Sequence, residues 1–289
     1  MPNDIVDLIR DRFETLTRSE KVIASYILGN PDALLLESAG GIARSAGVSS
    51  MTATRFFRKL GFEDNVDLKN AIRSGAGHPN RRAMWSIRDR YDAATGSGGQ
   101  GREDSLELEI ASTRRAYELA ATPLWKEAVE TISNAPRVYV HGLQITRGLA
   151  AEFAYRLEYV RPRVVLSDGH NGTFSEILTD EPSECCVVLI DIHRYARASR
   201  ELAELMTEAR IPFFVVTDDY CHWARDLTDR VFALPTATEL FWHSTAPMSV
   251  LLNLLVNDVV GYLGPRAKEH IDRVMNNQFR FGQFLEAAR

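Results

Sequence analysis

Apolar side chains in the first quarter of the chain recur at helical rather than strand spacing. Val22, Ile23, Tyr26 and Ile27 fall on one face. Thr17 with Glu20 three residues later forms the capping box T-R-S-E that starts such a helix. Asn30-Pro31 stops it and opens another, beneath which Leu34, Leu35 and Leu36 can bury. A further apolar set, Ile42, Ala43, Ala46, Val48, Ala53, Phe56 and Leu60, straddles Gly47. Glycine there permits a left-handed turn, Ser49 can cap the helix that follows, and Gly61 ends it. Asn65 to Arg73 reads as one more short helix.

The pattern then changes twice. Residues 76–82 are polar and broken by Gly77 and Pro79, and ATGSGGQG at 94–101 has the composition of a flexible linker. Between them, MWSIRDRYD reads as a short helix. Amphipathic helices are expected from Glu103 to about Ala121 and from Pro123 to Asn134. Beyond Pro136 apolar runs alternate with helical segments: RVYVHG, RVVLSD, ECCVVLIDI, IPFFVVTDD and RVFALP. Strands with no polar face, separated by helices, predict a parallel sheet covered on both sides. The chain therefore divides into an all-α domain at 1–76, a linker at 77–103 and a doubly wound α/β domain with a five-stranded parallel sheet at 104–289.

Ala43, Gly47 and Ala53 have the spacing of a helix-turn-helix. A small residue at 43 lets the two helices approach, and Ala53, Phe56, Phe57 and Leu60 turn inward. The outward face is then Ser50, Met51, Thr52, Thr54, Arg55, Arg58 and Lys59. From Gly40 through Phe62 there is no acidic residue, although the chain has a formal net charge of −5. A carboxylate on that face would repel phosphates, so the candidates for contact with double-stranded DNA are Ser49, Ser50, Thr52, Thr54, Arg55, Arg58 and Lys59. Spacing alone also admits a cationic helix on an ordinary helical bundle.

The order T-R-S-E-K-V-I-A-S-Y-I-L-G-N-P, I-A-R-S-A-G-V-S-S-M-T-A-T-R-F-F-R-K-L-G-F and D-L-K resembles the amino-terminal domain of the RpiR (MurR/RpiR) family of bacterial transcriptional regulators. The later strands resemble that family's sugar isomerase (SIS) domain, and only the Gly-rich linker lies outside the match. The resemblance implies a cytoplasmic regulator, a repressor more readily than an activator. Its partners would be operator DNA and a small sugar-derived anion, and its state a homodimer or homotetramer.

Ligands of open parallel sheets bind beyond the carboxyl ends of the strands. Two loops have that place, His141 to Gly148 and Asp191 to Ser199. In the family they resemble G-x-G-x-S and S-x-S-G-x-T, whose glycines and hydroxyls hold a sugar phosphate. Gly142 matches the first glycine here, Gln144 replaces the second, and Thr146 keeps the hydroxyl. In the second loop Asp191 and His193 stand at the serines, Arg194 at the glycine and Ala196 at the threonine. Gln144, Thr146, Arg147, Asp191, His193 and Arg194 are the effector-site candidates. Arg147, His193, Arg194 and Arg197 could take an acidic sugar by charge. The alternative is a domain that has lost its ligand and only holds subunits together. Asp168, His170, His243 and Ser244 are further neighbours by position.

Three cysteines, Cys185, Cys186 and Cys221, are too few and too irregular for a disulfide framework or a zinc site, and no metal or cofactor is expected. Asn253, Asn257 and Asp258 interrupt the most apolar stretch, Ala246 to Gly264, which reads as a core or interface helix rather than a membrane span. The tail after Pro265 is amphipathic. The SIS fold also serves isomerases, so catalysis is the rival class. Glu239, Asp191, His193 and His243 are its possible bases, but they form no recognisable motif, and a non-enzyme is expected.

Overall fold

The computed structural model describes residues 5–29, 33–63, 67–68, 91, 95, 101–170, 173–192, 195–219 and 221–282. Most of the linker expected at 77–103, and most of the helices expected at 65–73 and 84–92, lie outside these residues, as do His193 and Arg194. Backbone contacts divide the chain into two compact units, Met1–Leu108 with Ala237–Ser244, and Glu109–Thr236 with Thr245–Arg289.

The first unit contains α1 (Ile5–Arg12), α2 (Arg18–Gly29), α3 (Ala33–Leu36), α4 (Ala39–Ser45) and α5 (Ser50–Leu60). Local signals set their ends. The Thr17 amide donates to Glu20 Oε2 at 2.7 Å, and the Glu20 amide returns to Thr17 Oγ1 at 3.4 Å, closing the capping box. Ser38 caps α4 through the Gly41 amide. That places Gly40 and Gly41 in the first turn, where glycine costs a helix less than in its interior. Ile9, Ile23, Ile27, Ile42, Phe56 and Phe57 form the fully buried centre. Residues 237–244 attach to the start of α6 (Gly101–Leu119). There the Glu239 amide donates to Ser105 Oγ at 2.9 Å. A Cβ at Gly101 would sit 2.9 Å from the Glu239 carbonyl oxygen, so only glycine allows this approach.

The second unit runs on from α6 through α7 (Pro123–Asn134), β1 (Arg137–Gly142), α8 (Thr146–Val160), β2 (Val164–Ser167), α9 (Ser175–Thr179), β3 (Cys185–Ile190), α10 (Arg197–Ala209), β4 (Phe213–Asp218), α11 (His222–Leu227), β5 (Val231–Leu234), α12 (Ala246–Leu263) and α13 (Pro265–Arg280). The strands form one parallel sheet in the order β2-β1-β3-β4-β5. All six residues of β3 and of β4 are buried, which explains their unbroken apolar sequences. α12 is long and apolar enough to span a membrane, yet Met248, Leu251, Leu252, Leu255 and Val259 belong to the core beside Phe153 and Phe232. Its polar interruptions have partners: Asp258 accepts from Trp125 Nε1 at 2.7 Å and Asn253 Oδ1 from Arg156 at 2.8 Å. The short helices α9 and α11 were not legible in the sequence pattern.

Candidate functional site

α4 and α5 meet at the turn that the sequence marks with glycine. Gly47 has φ 69°, the Val48 amide donates to the Ala43 carbonyl at 2.8 Å, and Ala43 is buried. Ser49 caps α5 by accepting from the Thr52 amide at 3.2 Å, and Gly61 closes its far end with φ 103°. Ala53, Phe56, Phe57 and Leu60 are buried, so the opposite face is fixed by helical geometry alone.

Side chains outside that core are not equivalent. Ser49, Ser50, Met51, Arg55 and Arg58 are exposed, whereas Thr52 and Thr54 are half-buried. Ser49 and Thr52 share a hydroxyl contact at 2.8 Å, and Thr54 donates to the Ser50 carbonyl at 3.0 Å. Arg58 donates through Nε to the Glu63 carbonyl at 3.3 Å. Arg55 makes no hydrogen bond or ion pair with any described residue. Lys59, grouped with the arginines from sequence, reaches back into the fold. Its Nζ lies 2.9 Å from Glu20 Oε2 and 3.2 Å from the Thr15 carbonyl. Burial raises the Glu20 carboxyl pKa, but Lys59 and the Thr17 contacts outweigh it and hold the value below the ordinary range. Lys59 thus ties α5 to the start of α2.

In the second unit the strand order reverses direction between β1 and β3, the switch point at which such sheets open a crevice. Both expected loops begin there. The register pairs Gly142 with Ile190, so Leu143 and Asp191 leave the sheet side by side. Gly142 is required for packing, since a Cβ would lie 2.8 Å from that of Ala150 on α8. Gln144 is exposed and takes φ 50°, a left-handed conformation that glycine adopts most readily. Thr146 is buried, and its hydroxyl is held by its own turn: it accepts from the Leu143 amide at 3.1 Å and donates to the Leu143 carbonyl at 2.8 Å.

Arg147 forms an ion pair with Asp168, through Nη2 at 2.6 Å and Nε at 2.7 Å. Burial opposes the charge on Asp168, but the His170 amide and Arg147 prevail and keep its pKa low. Asp191 is buried at the end of β3 and accepts from the Ala196 amide at 3.0 Å. Burial pushes its carboxyl up to about 7 against the pull of that amide and of the Ser199 hydroxyl. Behind it lies His141, with Nδ1 2.8 Å from the Ser167 carbonyl and Nε2 3.3 Å from Ser199 Oγ. Nδ1 therefore donates, and burial drives the ring pKa down to about 4. Arg197 is exposed and pairs with Glu201 one turn along α10 at 2.6 Å.

Sequence reasoning missed the His141–Ser199 contact. The only signal was a polar residue inside the apolar strand RVYVHG. A separate cavity of about 540 Å³ lies at the amino-terminal edge of the sheet, lined by Tyr155, Tyr159, Arg161 and His270 among others. Arg161 is occupied there by the carbonyls of Ile132 and Ala135.

Residues 3–75 match the helix-turn-helix domain of the rpiR family. An uncharacterised HTH-type transcriptional regulator from Clostridium perfringens is 23% identical over 262 residues, 88% of this chain and 91% of the relative. The HTH-type transcriptional regulator HexR of Escherichia coli is 22% identical over 278 residues, covering 94% and 93% respectively. Among solved structures, the sugar isomerase domain of an RpiR transcription factor from Sphaerobacter thermophilus aligns with a TM-score of 0.55 at 18% identity, over 61% of this chain and 99% of that one. The Vibrio vulnificus NanR protein, solved with ManNAc-6P, aligns with a TM-score of 0.56 at 16% identity over 96% and 99%. At these identities the structural likenesses establish only the fold of the α/β domain, which is that of a sugar isomerase domain.

Proposed function

Given that residues 3–75 match the helix-turn-helix domain of the rpiR family, we propose that this chain is a transcriptional regulator of that family, that α5 reads an operator and that the switch-point crevice receives a small sugar-derived anion. The carrying observation is Arg55. It is exposed on a face with no acidic neighbour in sequence, opposite a core of Phe56 and Phe57, and no described residue engages it. A guanidinium so placed is available to phosphate or to a guanine edge.

For the effector the support is chemical. Arg147 follows the β1 turn, and its only described carboxylate partner, Asp168, can be exchanged for a ligand's phosphate or carboxylate. A phosphorylated sugar or a sugar acid fits that donor. That NanR was solved with a sugar phosphate is in keeping with this class. The crevice is read as a binding site rather than a reaction centre, because Asp191, Ser199 and His141 are bonded to one another below its rim. Repression is the favoured sense, and two copies would read two half-sites.

One observation favours a second reading, a domain that only joins subunits: Thr146 and Arg147 are already satisfied internally. A mobility-shift assay on DNA flanking the gene separates the two. Release of DNA by hexose phosphates or sugar acids supports effector sensing. DNA binding indifferent to the whole panel supports the joining role, and absence of any DNA binding overturns both.

A further inference from the structure

Met51 occupies the most outward position of α5. Ala53, Phe56, Phe57 and Leu60 centre the buried face. At about 100° per residue, Met51 lies roughly 190° around the helix from that centre, and Arg55 and Arg58 lie within about 40° of Met51. The three form one stripe at i, i+4 and i+7. Met51 is 73% exposed and is the only apolar member of the stripe. It also sits in the first turn of the helix, just after the Ser49 cap, where recognition helices reach base edges. A polar residue would serve solubility better there, and a phosphate contact would need a hydrogen-bond donor, which a thioether lacks. Among major-groove edges the one apolar group is the thymine 5-methyl.

We propose that Met51 is a specificity-determining residue that packs on a thymine methyl, while Arg55, one turn further along the same stripe, takes a neighbouring guanine or phosphate. This rests on the reading of α5 as the DNA-contacting helix. Thioether chains are unbranched and adapt to a flat apolar neighbour without a fixed rotamer. Ser50 and Thr52, on either side, supply hydroxyls that accept or donate without excluding a base.

The test is a methyl-deletion scan. A bound DNA site is first defined by footprinting with the full chain, and each thymine is then replaced singly by deoxyuridine, which removes only the methyl. Wild-type protein should lose affinity roughly fourfold at one such position, the factor that ~0.8 kcal/mol for a buried methyl group converts to. Met51→Ser should bind thymine DNA more weakly by a similar factor and no longer distinguish thymine from uracil there. Met51→Leu should retain the distinction. Thermal stability should be unchanged in both, because the side chain is exposed. If Met51→Ser keeps the wild-type thymine-to-uracil profile, the assignment is overturned even though DNA binding stands. If wild type has no footprint, the reading of α5 itself fails.

Discussion

The two regions proposed to meet partners treat their polar groups in opposite ways. On α5 the outward stripe is largely uncommitted: Met51 and Arg55 touch solvent, and Arg58 keeps its terminal nitrogens after one bond to the Glu63 carbonyl. At the switch point Thr146 is bonded to Leu143, Arg147 to Asp168 and Asp191 to Ala196. A surface of the first kind can dock without rearrangement, so its affinity reflects contacts made. A site of the second kind must exchange internal bonds for ligand bonds. Its ligand therefore changes the protein's own network, which is what a sensor requires. The difference identifies where each region can be broken.

The largest effect belongs to the uncommitted face. Arg55→Ala should weaken DNA binding by about 1–3 kcal/mol, roughly fivefold to 150-fold, and reduce the salt dependence if a phosphate contact is lost. Its melting temperature should equal wild type. Titration of labelled DNA at two salt concentrations measures both, and a destabilised variant with unchanged affinity would reverse the assignment. Lys59→Met sharpens the contrast within the same helix. It leaves Glu20, largely buried, without its cation, so stability should fall by about 1–2 kcal/mol. Affinity for DNA, measured where the variant is folded, should change less than for Arg55→Ala.

These cases also mark what the sequence made legible. Capping at Thr17–Glu20 and at Ser49, and the turns at Gly47 and Gly61, depend on residues within five positions of one another, so the helix-turn-helix could be read directly. Strands β3 and β4 announced themselves as unbroken apolar runs because both of their faces are covered. The two crevice loops start, as the sequence pattern suggested, at the carboxyl ends of β1 and β3. What stayed hidden are pairs set by folding. Lys59 meets Glu20 across 39 positions, Arg147 meets Asp168 across 21 and His141 meets Ser199 across 58. Nothing in a linear pattern distinguishes an arginine held by a carboxylate from one awaiting a ligand.

A smaller effect follows from that ion pair. Arg147 is more than half exposed, so the pair contributes only about 0–1 kcal/mol to stability, and Asp168→Asn should barely shift melting. It should nevertheless tighten binding of an anionic effector severalfold, by roughly the energy of the contact removed, because the guanidinium no longer has a competitor. Arg147→Ala should abolish the response. Calorimetry with a sugar phosphate that releases DNA would read both, and equal affinities in wild type and Asp168→Asn would leave Arg147 a structural residue.

The smallest net effect in wild type is a near-cancellation in the crevice network. Burial holds Asp191 up at about 7 and His141 down at about 4, against 3.8 and 6.5 for the unperturbed groups. In the window from about 4 to 6.5 the folded chain keeps a proton on Asp191 that the unfolded chain has lost. Stability from that group therefore falls as pH rises toward 7. His141 does the reverse: neutral when folded and protonated when unfolded, it contributes stability that grows with pH until about 6.5. The two slopes oppose each other, so their combined contribution in wild type is nearly flat across the window. Asp191→Asn removes the falling member and exposes the rising one. Its melting temperature, taken relative to wild type at each pH, should climb by roughly 6–12 °C between pH 4 and 6.5, the shift that about 3 kcal/mol of lost linkage converts to. Other titrating groups contribute to both proteins and drop out of the difference. Parallel pH profiles would mean that Asp191 ionises normally, and the buried Asp191–Ser199–His141 connection would then have no energetic weight.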